Sequence, residues 1–162
     1  MPEKDFSHID SSGKPKMVDI SEKLTTYREA EASATVELPF DFREYESNDD
    51  IKSPKGPVFQ TAIIAGTQAV KNTSQLIPFC HPLAIEKCKI IITPSEEDPH
   101  IINITCRVST EGKTGVEMEA ITGATIAAIT IYDMCKALSH DIKIKEVKLM
   151  KKSGGKNDFN RE

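Results

Sequence analysis

Tryptophan is absent from these 162 residues, and aromatic side chains make up only 6% of them. Sheet-borne nucleic-acid modules stack bases on exposed aromatic pairs, and no strand pattern here carries such a pair. An excess of positive charge is missing too. The 21 Lys and Arg stand against 25 Asp and Glu, a formal net charge of −4, which excludes a general nucleic-acid surface. No run approaches the ~20 apolar residues of a membrane span. The four cysteines, Cys80, Cys88, Cys106 and Cys135, form no CxxC pair, and no secretory leader is visible, so a reduced, cytoplasmic setting is expected. Neither a Walker A sequence nor GxGxxG occurs, which removes the common nucleotide-binding loops. What is present is one domain's worth of chain, 38% apolar and 28% charged, long enough to bury a core.

The pattern along the chain predicts its elements. Residues 1–16 hold Ser11, Ser12, Gly13 and Pro15 and read as a mobile or extended arm. Residues 17–21 form a short strand-like piece. Residues 27–38 alternate without a break, with Ala30, Ala32, Ala34, Val36 and Leu38 on one face and Glu29, Glu31, Ser33, Thr35 and Glu37 on the other. That period of two predicts a half-buried strand. Residues 41–57, with Asn48, Pro54, Gly56 and Pro57, read as a loop. Apolar positions at helical spacing follow over residues 58–76. Strands are expected over 88–93 and 101–108, the second continuing through 116–119. A helix over 122–138, capped by Thr122, and a last strand over 143–151 complete the series. The order β-α-β-β-α-β is the ferredoxin-like, split-βαβ arrangement, an α+β sandwich with both helices on one face of an antiparallel sheet. The domain is placed at 17–152, with residues 153–162 as a C-terminal tail.

Chemical capacity concentrates in residues 112–136, GKTGVEMEAITGATIAAITIYDMCK. Asp133 and Lys136 are three apart and adjoin on a helix that is otherwise apolar, so both should be partly desolvated. They form either a packing ion pair or a catalytic one. On a strand, Glu117 and Glu119 would point the same way. Lys55 stands beside Gly56, where backbone and ammonium can both approach a ligand. Pro78 and Pro82 bracket Phe79, Cys80 and His81 and stiffen that turn, which suits His81 as a base or anion ligand. As a zinc pair, Cys80 and His81 lack partners at standard spacing. In the tail, a Gly-Gly flanked by Lys151, Lys152 and Lys156 either wraps a phosphate or is an ordinary tail. With Asp19 and Arg28 added, the cations suit a polyphosphate and the carboxylates suit acid–base work or Mg²⁺. The residues themselves reach as far as an enzyme acting on a small phosphorylated molecule.

The stretches SHIDSSGKPKMVDIS, KGPVFQTAIIAG, LIPFCHPL, GKTGVEMEAITGATIAAITIYDMCKAL and KSGGK closely resemble the MoaC family, the cyclic pyranopterin monophosphate synthases of molybdenum cofactor biosynthesis. The likeness runs from about Ser7 to Asp158. It implies a lyase acting on 3′,8-cyclo-7,8-dihydro-GTP, supplied by a radical SAM GTP cyclase, with pyrophosphate released. It also implies a homohexamer, a trimer of dimers with active sites at the dimer interface, and no required cofactor. Asp133, Lys136 and Lys55 match the family's catalytic positions. Phe79, Cys80, His81, Glu117, Met118, Glu119, Arg28, Asp19 and Lys152 match its substrate-binding positions, and no metal ligand is implied. Three positions depart from the family pattern: Phe79 where Leu is usual, Gly123 where Ala is usual, and Pro57 where an acidic residue is common. Pro57 puts the placement of Lys55 in question.

Overall fold

The alternation of small apolar and charged residues makes the central strand. In the computed structural model, which describes residues 8–162, β1 (Thr26–Glu37) has Ala30, Ala32, Ala34 and Val36 fully buried on one side. The remaining elements are β2 (Glu46–Ser47), β3 (Asp50–Ser53), β4 (Gly56–Pro57), α1 (Val58–Lys71), α2 (Thr73–Leu76), β5 (Lys87–Pro94), β6 (Ile101–Gly112), α3 (Glu117–Cys135), β7 (Lys143–Ser153) and β8 (Phe159–Asn160). The main sheet has the order β5-β6-β1-β7-β8, and every pairing is antiparallel. Thus β1 and β5 are parallel with β6 between them, and β6 and β7 are parallel with β1 between them. Each crossover carries a helix, which is the split-βαβ arrangement read from the sequence.

Small residues let the helices come close. Ala32 lies opposite Cys106 and Ala34 opposite Ile104 on the buried face, and α3 sets Ala120, Ala124, Ala127 and Ala128 into the same core. Each buried Ile or Val of β6 contributes roughly 1.5–3 kcal/mol. At the crossing of α1 and α3, a methyl group on Gly66 would stand 2.8 Å from the Gly123 carbonyl oxygen. One on Gly123 would stand 2.5 Å from Val70 Cγ2 and 2.7 Å from Cys106 Sγ, so the usual alanine does not fit here without a shift. The outer face of the sheet is a ladder of charge, with Arg107 on Glu31 and Lys143 3.3 Å from Glu37.

Several expected elements are different in the structure. Residues 17–21 form no strand. Residues 41–57 are not a plain loop: a 3-10 turn (Phe42–Tyr45) leads into the small sheet β2-β3-β4. The helix expected over 58–76 breaks at Asn72 into α1 and α2. The strand β6 ends at Gly112, and α3 begins at Glu117 rather than at Thr122, which lies buried inside the helix. Glu, Met and Ala are good helix formers, and Gly112 and Gly115 end the strand before them. Glu117 and Glu119 therefore lie about 200° apart around a helix, not side by side on a strand.

The termini differ as well. Residues 1–7 of the expected arm lie outside the described residues. Residues 8–16 are a hydrogen-bonded turn in which Ile9 pairs with Pro15 and Asp10 accepts from Ser12 and Lys14. The expected tail folds back, since Lys152 pairs with Phe159 and the Arg161 N–H donates to the Met150 carbonyl at 2.8 Å. Gly154 turns the chain at φ +85°, and a Cβ there would lie 1.8 Å from the Tyr27 carbonyl oxygen, so only glycine fits.

The strand β7 skips Lys145 and Met150 in its pairing with β1. These two irregularities leave Ile144, Val147, Leu149 and Lys152 all opposite the buried positions of β1, facing the helices. Strict alternation from Leu149 would have sent Lys152 to the outer face.

Candidate active site

Most of the candidate residues gather at the two ends of α3. At its N-terminal end an open cleft of about 430 Å³ is lined by Lys23, Arg28, Lys113, Glu117, Lys152 and Lys156, five cations against one carboxylate. Lys152, turned inward by the bulge in β7, sits 3.0 Å from Glu117 Oε1. Arg28 on β1 donates through Nε to the Gly112 carbonyl at 3.3 Å, and Lys113 donates to the Ser21 carbonyl at 2.7 Å. The Gly154–Gly155 turn packs on β1 and brings Lys156 to the rim. Glycine backbone plus ammonium groups is an arrangement that accepts phosphate oxygens.

The other residues of this end are tied to the cleft by their fields. Asp19 accepts from the Ser21 backbone N–H at 2.8 Å. That bond, the Ser21 hydroxyl, and the charges of His81 and Lys113 hold its carboxyl below the usual range. Glu119 is 4% exposed, and burial pushes its carboxyl up to about 7, with the Glu117 charge adding to it. Burial also raises the Cys80 thiol, and the Glu119 charge raises it further, so the Pro-bracketed turn lies within the field of the start of α3. Phe79 and Met118 are exposed. The structure thus brings Arg28, Glu117 and Lys152 into one cleft, while Asp19 lies in the field of Lys113 and His81, and Glu119 in that of Glu117. Sequence reasoning did not single out Lys23 or Lys113, and it weighed Lys156 only for its Gly-Gly turn. The glycines on both sides of Lys113 were the available signal.

At the C-terminal end of α3, Asp133 holds two lysines. Lys55 Nζ lies 2.8 Å from Oδ2 and 3.1 Å from the Asp133 carbonyl oxygen, and Lys136 Nζ lies 2.8 Å from Oδ1. Lys136 first, then Lys55, hold the Asp133 carboxyl down to about 2, and Asp133 raises Lys136 in return. Pro57 therefore leaves Lys55 on its partner. The desolvation expected from an apolar helix is not supplied by this chain alone, since the side chains of Asp133 and Lys136 are 49% and 46% exposed. Among the described residues no group of three or more His, Cys, Asp and Glu is set to hold a metal ion.

Sixteen residues of α3 separate Glu117 from Asp133, about 24 Å at 1.5 Å per residue. Proton transfer needs contact within hydrogen-bond reach, so the two ends of one α3 do not serve the same reacting atom.

A cationic cleft, a buried carboxyl and a Lys–Asp–Lys cluster lie on one α+β sandwich, groups whose chemistry suits phosphate binding and acid–base work. Comparison with known proteins gives the family. The sequence pattern of the MoaC family matches residues 17–155, and the chain belongs to that family. It is 55% identical, over 94% of its length, to Molybdenum cofactor biosynthesis protein 1 of Dictyostelium discoideum, of which it covers 27%. It is 52% identical to the Molybdenum cofactor biosynthesis bifunctional protein of a Synechocystis species, of which it covers 45%. The chain thus spans less than half the length of those two relatives. With the Cyclic pyranopterin monophosphate synthase of Xanthomonas campestris pv. campestris (strain B100) it shares 48% identity, over 95% of this chain and 92% of that one. Among the described residues no helix is long and apolar enough to cross a membrane.

Proposed function

We propose that this chain is a cyclic pyranopterin monophosphate synthase, converting 3′,8-cyclo-7,8-dihydro-GTP to cyclic pyranopterin monophosphate and pyrophosphate in molybdenum cofactor biosynthesis. The observation that carries the reading is the division of α3 into a cationic end and a Lys–Asp–Lys end. Arg28 as a fork, with Lys152, His81 and the lysines of the cleft, takes the triphosphate. Asp19, Phe79, Cys80, Glu117, Met118 and Glu119 shape the wall that meets the purine-derived rings. When the ring closes on phosphate, the α phosphorus gains a bond to a sugar-derived oxygen and its bridge to the β phosphorus breaks. Pyrophosphate leaves with the electron pair, and the cations of the cleft stabilise the charge that develops. Asp133 stays ionised and holds Lys55 and Lys136 together, and these two amines move the protons of ring opening and closure.

Because one α3 keeps the two halves about 24 Å apart, a working site takes its cleft from one copy and its Lys–Asp–Lys cluster from another. The circumference of α3 supports this. It is apolar nearly all round, and Ile129 is 45% exposed in the single chain, as is 71% of Ile64 on α1. A helix of that kind is normally covered. In this reading, pairs of chains set their α3 helices antiparallel across a two-fold axis and three pairs form a homohexamer. The protein works in the cytoplasm on substrate supplied by a radical SAM GTP cyclase.

The test is to supply the purified protein with the cyclic dihydro-GTP and follow pyrophosphate and pterin product, beside Asp133→Asn. Product from the wild type and a loss of ~10²-fold or more in the variant are expected. Binding without product in either protein would reduce the chain to a nucleotide-binding relative.

A further inference from the structure

We propose that Asp50 is a positioning residue that holds Lys55 on Asp133, a role that rests on the synthase reading for its effect on rate. Asp50 opens β3, is 5% exposed, and spends its carboxylate on backbone alone: Phe59 N–H donates to Oδ1 at 2.7 Å and Gln60 N–H to Oδ2 at 3.1 Å. A carboxylate so deeply buried needs those bonds. The helix needs them equally. The residue at its N-cap is Pro57, which offers no side-chain cap, so the first N–H groups of α1 depend on a residue from seven positions further back.

The chain between Asp50 and α1 is the lever. Lys52 pairs with Pro57 and Ser53 with Gly56, and Lys55 sits at the tip of that hairpin. The Ser53 hydroxyl ties the tip, accepting from the Lys55 N–H at 3.1 Å and donating to the Gly56 carbonyl at 3.0 Å, while Gly56 turns at φ +113°. The Asp50 carboxylate fastens the first foot of the hairpin to the second, because its acceptors lie in β3 and its donors in α1. With both feet joined, the tip projects Lys55 Nζ onto Asp133. Asp50 also reaches the end of α3, where burial and then its charge push the Cys135 thiol up to about 11. Asp50 makes no hydrogen bond or ion pair with Lys55, Asp133 or Lys136, so its influence on Lys55 runs through the backbone.

The experiment is a double-mutant cycle on the full-length assembled protein: wild type, Asp50→Asn, Lys55→Ala and the double variant, with kcat and KM measured on the cyclic dihydro-GTP. Asn keeps one acceptor oxygen but turns an amide N–H₂ toward the Gln60 N–H, which opens one side of the clasp. Asp50→Asn is expected to lower kcat by ~10²-fold, the scale set by an ångström of misplacement, with KM nearly unchanged. In the Lys55→Ala background the same change is expected to cost nothing further, because the group it positions is gone. Equal losses in both backgrounds, or full turnover in Asp50→Asn, would overturn the proposal. Should Asp50→Asn not fold, Asp50→Glu, which keeps the charge and displaces the hairpin, takes its place in the same cycle. Should the wild type show no turnover, the synthase reading fails first. The positioning is then read from ¹³C-methylated lysine NMR, where loss of the Lys55 ion-pair resonance in the Asp50 variant is expected and an unchanged resonance overturns it.

Discussion

Replacing Glu119 by Gln removes a carboxyl that the fold holds between its two protonation states. The group lies in the first turn of α3, 4% exposed, with Glu117 nearby and no cation paired to it among the described ion pairs. Burial raises it from an ordinary 4.5 to about 7. A raised carboxyl means that the folded chain binds more protons than the unfolded chain between those values, so stability falls as pH rises through that window. At ~1.4 kcal/mol per pH unit, the interval is about 3 kcal/mol. The amide of the substituted side chain carries no such dependence, so the difference between the proteins isolates the carboxyl. The assay is urea unfolding followed by circular dichroism from pH 5 to pH 8, at one protein concentration because an oligomer's stability depends on it. Relative to Glu119→Gln, the wild type is expected to lose about 2.5 kcal/mol across the range, most of it between pH 5 and pH 7. Parallel curves would refute the reasoning and would mean that Glu119 is already ionised, with a partner supplied from elsewhere.

Three further outcomes are expected. Mixing Lys55→Ala chains with Lys152→Ala chains restores about a quarter of wild-type turnover, because half the pairs are mixed and each mixed pair holds one intact site; no recovery would show that each site belongs to one chain. Gly154→Ala lowers the melting temperature and weakens inhibition by added pyrophosphate, since an L-residue at that φ costs ~1–2 kcal/mol before the contact with Tyr27 is counted; an unchanged melting temperature would refute the close approach. Treatment with EDTA leaves turnover intact, with Mg²⁺ entering only as a counter-ion of the triphosphate; activity that vanished and returned with Mg²⁺ would make the metal a required part of the site.

The sheet was legible where side chains had to alternate. Twelve residues of β1 with small apolar groups on one side admit little but a strand buried on that side. The helix α1 and the β5–β6 hairpin were readable for the same reason, each being long enough to display its period. The small sheet was not, because strands of two to four residues show no period at all. The start of α3 was hidden because Val116 caps it with no side-chain bond, so the usual Ser, Thr, Asp or Asn signal is missing. The candidate residues were nameable from their chemistry and from the family likeness. Their division between two ends of one helix was not, since it follows from where α3 begins, at Glu117 rather than at Thr122. Nor was Asp50 visible: a carboxylate in a charged stretch gives no sign that it will be buried under a helix.

The irregularities of β7 have a consequence for how this chain can change length. In β1, deleting one residue would send every later side chain to the opposite face of the sheet. In β7, Met150 is an unpaired extra residue. Deleting it would leave Leu149 and Lys152 on the sides they now occupy, at the expense of the carbonyl that Arg161 engages. The strand carries its own slack, and the cleft lysine Lys152 hangs from the end of it. Natural variation by single-residue insertion and loss should therefore collect at this edge of the sheet, where the orientation of Lys152 survives it, and be scarce in β1, where Arg28 has no such protection.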